Sequence, residues 1–132
     1  MTELTRAMEL YTKEYIYLES THTPIELKQL EEFKAALKEA IRLATQDYRK
    51  DSGNHQNTFN LALYYLVARK QQKAGQLYKD ALSENASIYY IQEAIRDLQE
   101  LLIVFPTYPY AAEMKGFLES ALSLRQVALS AV

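Results

Sequence analysis

The side chains best suited to acid–base or metal chemistry in this sequence are its two histidines, His22 and His55. They lie far apart in the chain, and neither belongs to an HExxH or ExxH arrangement, in which helical spacing places metal ligands on one face. Both fall in segments that we expect to be turns or loops, where an imidazole is solvated. The histidines therefore predict neither a catalytic base nor a metal site.

Other catalytic motifs are also missing from the sequence. The chain has no cysteine, which excludes disulfides and thiolate metal sites. No glycine-rich phosphate loop is formed, because the three glycines are isolated at Gly53, Gly75 and Gly116. Acidic pairs such as Glu31 with Glu32 and Asp80 with Glu84 have helical spacing that directs them to solvent, and no serine has a His–Asp context. We expect no enzyme activity, no cofactor and no metal.

The charge balance argues against nucleic acid as a partner. Charged residues make up 24% of the 132 residues and sum to −2 at pH 7, which gives no general attraction to phosphate. Asp47 and Asp51 dilute the one basic cluster, which consists of Arg49, Lys50, Arg69, Lys70 and Lys73. With 48% apolar residues the chain can bury one continuous core, so we expect a single domain over 1–132.

Membrane insertion is not expected either. The longest apolar run covers residues 61–68, far short of the roughly 20 residues that a membrane-spanning helix needs. The N-terminal segment carries charges throughout and lacks the apolar centre of a signal peptide. Together with the absence of cysteine, these features favour a cytoplasmic location.

Apolar residues recur at helical spacing along the whole chain, and few glycines and prolines are present to form turns. In the last segment, for example, the predicted core-facing stripe consists of Met114, Phe117, Ala121, Leu124 and Ala128. We expect an all-α protein of about six helices, with breaks near residues 20–23, 49–56, 70–71, 84–87 and 106–108.

Local signals support most of these breaks. Thr23 and Glu26 can form a capping box at the start of the second predicted helix. Gly53 is a helix-ending residue in a segment without apolar side chains, and Pro106 removes a backbone donor at the end of the fifth predicted helix. The weakest break is at 84–87, where neither Gly nor Pro separates the fourth and fifth predicted helices.

Residues 55–88 resemble a tetratricopeptide repeat, a helix-turn-helix unit with small residues where its two helices touch. The positions that carry the resemblance are Leu61, Ala62, Tyr65, Ala74, Tyr78 and Ala81. A second unit is matched in part, at Ala94, Leu98, Pro106 and Gly116. The resemblance implies antiparallel helical hairpins, in a right-handed stack or an irregular bundle, with Ala62, Ala74 and Ala81 at a close helix contact.

Proteins of this family bind other proteins in a groove lined by the first helix of each unit. Carried over to this sequence, the groove residues are Gln56, Phe59, Asn60, Leu63, Leu66 and Val67. We add Tyr90, at the start of the fifth predicted helix. Because most of these residues are apolar, the expected partner is an apolar helix or an extended segment of another protein.

Two functions are favoured at this point, and an enzyme or nucleotide binder without a recognisable motif is a distant third. The first is a non-enzymatic interaction module, an adaptor or small chaperone that holds a partner segment on the groove. The second is a structural homo-oligomer, in which the same apolar surface is buried between identical subunits. The eleven tyrosines fit either packing at the edge of the core or a partner surface, where tyrosine is enriched.

Overall fold

The computed structural model describes residues 24–130, and within that range it contains five helices and no strand. The helices are α1 (Pro24–Lys50), α2 (His55–Val67), α3 (Gln71–Ser83), α4 (Ile88–Val104) and α5 (Ala111–Ser130). The prediction of an all-α fold is confirmed for these residues, and α1 to α5 correspond to the second to sixth predicted helices. The first predicted helix and the break at 20–23 lie outside the described residues.

The chain divides into two compact units, residues 1–43 and residues 44–132, so the division falls within α1. In the described part of the first unit, the exposed side chains of Arg42 and Glu39 form an ion pair one helical turn apart. The hydrogen bond from Arg42 lowers the pKa of the Glu39 carboxyl. A single domain over 1–132 stays a prediction.

Two helical hairpins, α2 with α3 and α4 with α5, make up most of the second unit. They are stacked, since α2 packs against α4 and α3 packs against α5. Stacking buries apolar stripes that one hairpin alone would leave exposed. The largest fully buried side chains of the resulting core are Tyr78, Leu66, Ile91, Leu98 and Leu118.

Residues 84–87 do separate two helices, although they give the weakest of the predicted breaks. Asn85 has a φ of 67°, in the left-handed region that asparagine enters more readily than most residues. Ser87 caps α4, because its side chain accepts a hydrogen bond from the amide of Tyr90. Asparagine thus ends one helix and serine begins the next, without the glycine or proline that makes such a break easy to recognise.

Two side chains from the second hairpin reach the ends of the first. The hydroxyl of Tyr108, between α4 and α5, donates to the carbonyl oxygens of Leu66 (3.1 Å) and Val67 (2.9 Å) at the end of α2. The guanidinium of Arg125, on α5, donates to the carbonyl oxygen of Leu82 (2.7 Å) near the end of α3. The carbonyl oxygens of Leu66 and Leu82 also accept the amides of Arg69 and Asn85, both at 3.1 Å, so the two side chains add to the hydrogen bonds that close these helix ends.

The small residues predicted at the contact between α2 and α3 are all buried. Ala62, Ala74 and Ala81 have 0% of their surface exposed. Next to Ala74, a Cβ atom on Gly75 would lie 3.1 Å from the hydroxyl oxygen of Tyr110, so this tyrosine packs on the glycine itself. The tetratricopeptide-like arrangement of the hairpins stays a prediction.

Candidate binding groove

Most of the residues predicted to line a partner groove lie in the core of the second unit. Leu66 and Val67 are 0% exposed, whereas Phe59 and Leu63 are 5% and 3% exposed. The ring of Phe59 packs against that of Tyr78, with the centroids 5.9 Å apart. A charge introduced at Phe59 would therefore disturb the core and would not report on a binding surface.

Three of the predicted groove residues keep exposed atoms. Gln56 is exposed, and Asn60 and Tyr90 are half-buried. The ring of Tyr90 contacts that of Tyr89, with the centroids 5.6 Å apart. Partner binding by these residues stays a prediction, for which Gln56, Asn60 and Tyr90 offer accessible surface.

An open groove lies elsewhere on the second unit, where the end of α1 meets α2 and α3. Its volume is about 310 Å³, and we call it the three-helix groove. Each helix contributes residues three or four positions apart, the spacing that places side chains on one helix face. The lining residues are Thr45, Tyr48, Arg49, Leu61, Tyr65, Lys73, Gln76 and Leu77.

The three-helix groove is partly apolar, and we call the two leucines that line it, Leu61 and Leu77, its base. Leu61 is 3% exposed, and Leu77 is half-buried. Tyr48 and Tyr65 are also half-buried and place aromatic surface beside the two leucines. Concave surfaces of this kind, apolar with a few placed polar groups, are the usual form of binding sites.

The charged side chains that line the three-helix groove are Arg49 and Lys73, both exposed. The ammonium of Lys73 lies 5.4 Å from the centroid of the Tyr65 ring, a distance at which a cation and a ring attract each other. Lys73 also borders a second open concavity, of about 480 Å³. That concavity is lined by Arg69, Lys70, Gln71, Gln72 and Lys73.

A separate apolar surface lies on α5. Of the stripe predicted to face the core, Met114 is 5% exposed, but Phe117 is 38% and Leu124 is 73% exposed. Val127 and Leu129 are exposed as well. The prediction that the whole stripe is buried is therefore wrong, because α5 packs through Met114 and Leu118 and turns Phe117 and Leu124 outward.

The most perturbed carboxyl among the described residues is Asp97, on α4. Burial and, to a smaller extent, the charges of Glu100 and Glu93 raise the pKa of Asp97 to about 6, against the opposing effect of Arg96. Burial also raises the pKa of the Tyr64 hydroxyl, and the charge of Asp97 adds to that effect.

His55 is not the solvated loop residue that the sequence predicts. It is the first residue of α2, its side chain is 12% exposed, and its Nε2 lies 3.3 Å from Oε2 of Glu84. The contact joins the start of α2 to the end of α3, so it closes the first hairpin. Within residues 24–130, no three His, Cys, Asp or Glu side chains are grouped as a metal site would require.

The three-helix groove is missed at the sequence level because its parts are assigned to other roles. Leu61, Tyr65 and Leu77 look like core residues of the hairpin, and Tyr48 like the inner face of its helix. Lys73 belongs to a basic cluster that Asp47 and Asp51 dilute in the sequence. The usable signal is spatial, since neither aspartate lines the groove that Lys73 borders.

Comparisons of the chain with known protein families, curated proteins and solved structures find no match. Among residues 24–130, no helix combines the length and the apolar character that crossing a bilayer requires.

Proposed function

We propose that this protein is a non-enzymatic interaction module that holds a segment of a partner protein in the three-helix groove. The observation that carries the proposal is the groove itself, an open concavity with Leu61 and Leu77 at its base and tyrosines beside them. Tyr48, Tyr65 and Leu77 are half-buried, and a partner can bury the rest of their surface. A tetratricopeptide-like adaptor or small chaperone in the cytoplasm is the kind of protein that we infer.

The size of the groove favours a short segment over a folded domain. A volume of about 310 Å³ is at the lower end for ligand sites and accommodates a few side chains. An apolar helix can place residues one turn apart into such a groove, and an extended segment can place alternate residues there.

Selection from a displayed library of random peptides tests the proposal. The parent protein should enrich peptides that Leu77→Glu no longer binds, because this variant places a charge at the base of the groove. Gln76→Trp should also lose them, since it adds bulk at an exposed position and leaves the core unchanged. Leu124→Glu, the same change as Leu77→Glu on the exposed face of α5, is the control and should retain binding.

Two results would contradict the proposal. One is a selection in which the parent enriches no peptide over an empty support. The other is binding of the recovered peptides to Leu77→Glu and Gln76→Trp as tightly as to the parent. Thermal unfolding of each variant shows that loss of binding is not loss of the fold.

A structural homo-oligomer is the second candidate function, and the exposed face of α5 favours it. Leu124, Val127 and Leu129 are 73%, 67% and 65% exposed, and burial between two copies would remove this apolar surface from water. Light scattering coupled to size exclusion distinguishes the candidates. A self-associating chain should exceed its monomer mass of 15.3 kDa, and Leu124→Glu should return it to that mass.

A further inference from the structure

We propose that the segment held in the three-helix groove is acidic, with an apolar side chain at the base of the groove and carboxylates paired with Arg49 and Lys73. This inference rests on the proposed function and specifies the chemistry of the partner. It follows from the charges around the groove, from the availability of those charges and from the shape of the base.

The charged side chains that line the groove have one sign. The charged residues that line the groove and the neighbouring concavity are all basic: Arg49, Arg69, Lys70 and Lys73. The whole chain carries a net charge of −2, so this is a local concentration of positive charge on an acidic protein. A surface of one sign favours encounter with a segment of the opposite sign.

The cations that border the groove are available to a ligand. Among the described residues, neither Arg49 nor Lys73 forms an ion pair with a carboxylate. The contact with the Tyr65 ring occupies one side of the Lys73 ammonium, and because this group carries three N–H donors it can also donate to an oxygen. A carboxylate of the partner would therefore gain a charge-assisted hydrogen bond without breaking an existing ion pair.

The base of the groove selects for an apolar neighbour of those carboxylates. Leu61 and Leu77 offer no hydrogen-bonding side chain, so a polar group placed over them would lose its water without compensation. A leucine or phenylalanine in the partner would instead bury apolar surface against them. The segment that fits combines one bulky apolar residue with acidic residues on either side.

Nucleic acid is the other ligand that basic and aromatic residues can bind, and the groove favours it less. Single strands bind by stacking bases on open aromatic faces. Tyr48 and Tyr65, the aromatic residues that line the groove, are both half-buried, so their rings offer less open face for stacking. A peptide needs no stacking platform.

Fluorescence anisotropy with synthetic probes tests the inference. The probes are a labelled peptide of about ten residues with one leucine among aspartates and glutamates, the same peptide with lysine at every acidic position, and a single-stranded oligothymidine. The acidic peptide should bind the parent about tenfold more tightly than the lysine peptide, and added salt should weaken its binding.

Charge reversal supplies the matched variants. Arg49→Glu with Lys73→Glu should reverse the preference, so that the lysine peptide binds more tightly than the acidic one. Lys38→Glu with Lys79→Glu changes the net charge by the same amount at exposed positions outside the groove, and it should keep the preference of the parent.

The outcomes separate this inference from the proposed function. If the parent binds both leucine-containing peptides equally and Leu77→Glu binds neither, the groove is a peptide site without a preference for acidic segments. That result would overturn this inference and leave the proposed function standing. Tighter binding of oligothymidine than of either peptide would overturn the inference in favour of nucleic acid. Absence of binding by all three probes would also overturn it, and the random-peptide selection would then decide the proposed function separately.

Discussion

The hydroxyl of Tyr108 donates a hydrogen bond of 2.9 Å to the carbonyl oxygen of Val67, which lies 41 positions earlier in the chain. Val67 is the last residue of α2, and Tyr108 lies in the loop between α4 and α5. Both residues are buried, at 0% and 5% exposure. One side chain of the second hairpin therefore closes the end of a helix in the first and holds the two hairpins in register.

Removing this hydroxyl should destabilise the second unit. Tyr108→Phe keeps the ring but leaves the carbonyl of Val67 without its donor, and we expect a loss of about 1–2 kcal/mol in the free energy of unfolding. Chemical denaturation measures it. Tyr89→Phe is the control, because Tyr89 is 62% exposed, and an equal effect of the two changes would contradict a special role for Tyr108.

Thr58 should be a position where the natural residue is not the most stable one. Its side chain is 1% exposed, and among the described residues its hydroxyl oxygen has no hydrogen-bond partner. Thr58→Val replaces the hydroxyl by a methyl of similar size, so we expect unfolding to require up to about 1 kcal/mol more. Chemical denaturation measures the change, and Thr107→Val, at an exposed position, is the control that should shift the denaturation midpoint little. If Thr58→Val is less stable than the parent, the hydroxyl of Thr58 does have a hydrogen-bond partner.

Ala74 tests how closely α2 and α3 approach. Because Ala74 is 0% exposed, the added volume in Ala74→Leu should overpack the contact and cost about 1–3 kcal/mol. Thermal unfolding gives the comparison, with Ala112→Leu on the exposed face of α5 as the control. If Ala74→Leu unfolds at the temperature of the parent, the close contact that the tetratricopeptide resemblance implies is absent.

Asp97 should make stability depend on pH. Burial raises the pKa of Asp97 from 3.8 to about 6, so between about pH 4 and 6 the folded protein binds a proton that the unfolded chain has released. The contribution of protonated Asp97 to folding stability is therefore present at low pH and is lost as the pH rises through 6. Asp97→Asn should match the parent near pH 4 and be more stable at pH 7, by about 1 kcal/mol after allowance for solvent screening.

Denaturation curves at several pH values measure this difference. Glu113→Gln, which removes an exposed carboxylate from the same unit, should shift stability by less than about 0.5 kcal/mol. A constant difference between Asp97→Asn and the parent from pH 4 to 7 would show that the carboxyl of Asp97 is not perturbed by the fold.

The elements of the fold are predictable because each is encoded locally. Helical spacing of apolar residues identifies all the described helices, and Pro106 places the break before α5. The end of α3 is less visible, since Asn85 takes a left-handed conformation that few local signals announce. Contacts such as that of Tyr108 with Val67 join residues far apart in sequence, so no local pattern contains them.

The site is less predictable, because exposure depends on which faces the helices turn to one another. From Leu61 onward helix α2 is apolar on all sides, and the sequence does not say which of its leucines are covered. Leu61 and Leu63 are equally buried, at 3% exposure, and Leu66 is 0% exposed, but of the three only Leu61 lines the three-helix groove. In α5, Leu124 has the spacing of a core residue but faces outward.

The most direct measurement of the central claim is an NMR titration of the ¹⁵N-labelled protein with a peptide recovered from the library. If the three-helix groove is the binding site, the amide shifts that change most should cluster at Thr45, Tyr48, Leu61, Tyr65, Lys73 and Leu77. Shifts that cluster instead around Asn60 and Tyr90, or along the exposed face of α5, would contradict the assignment of binding to this groove.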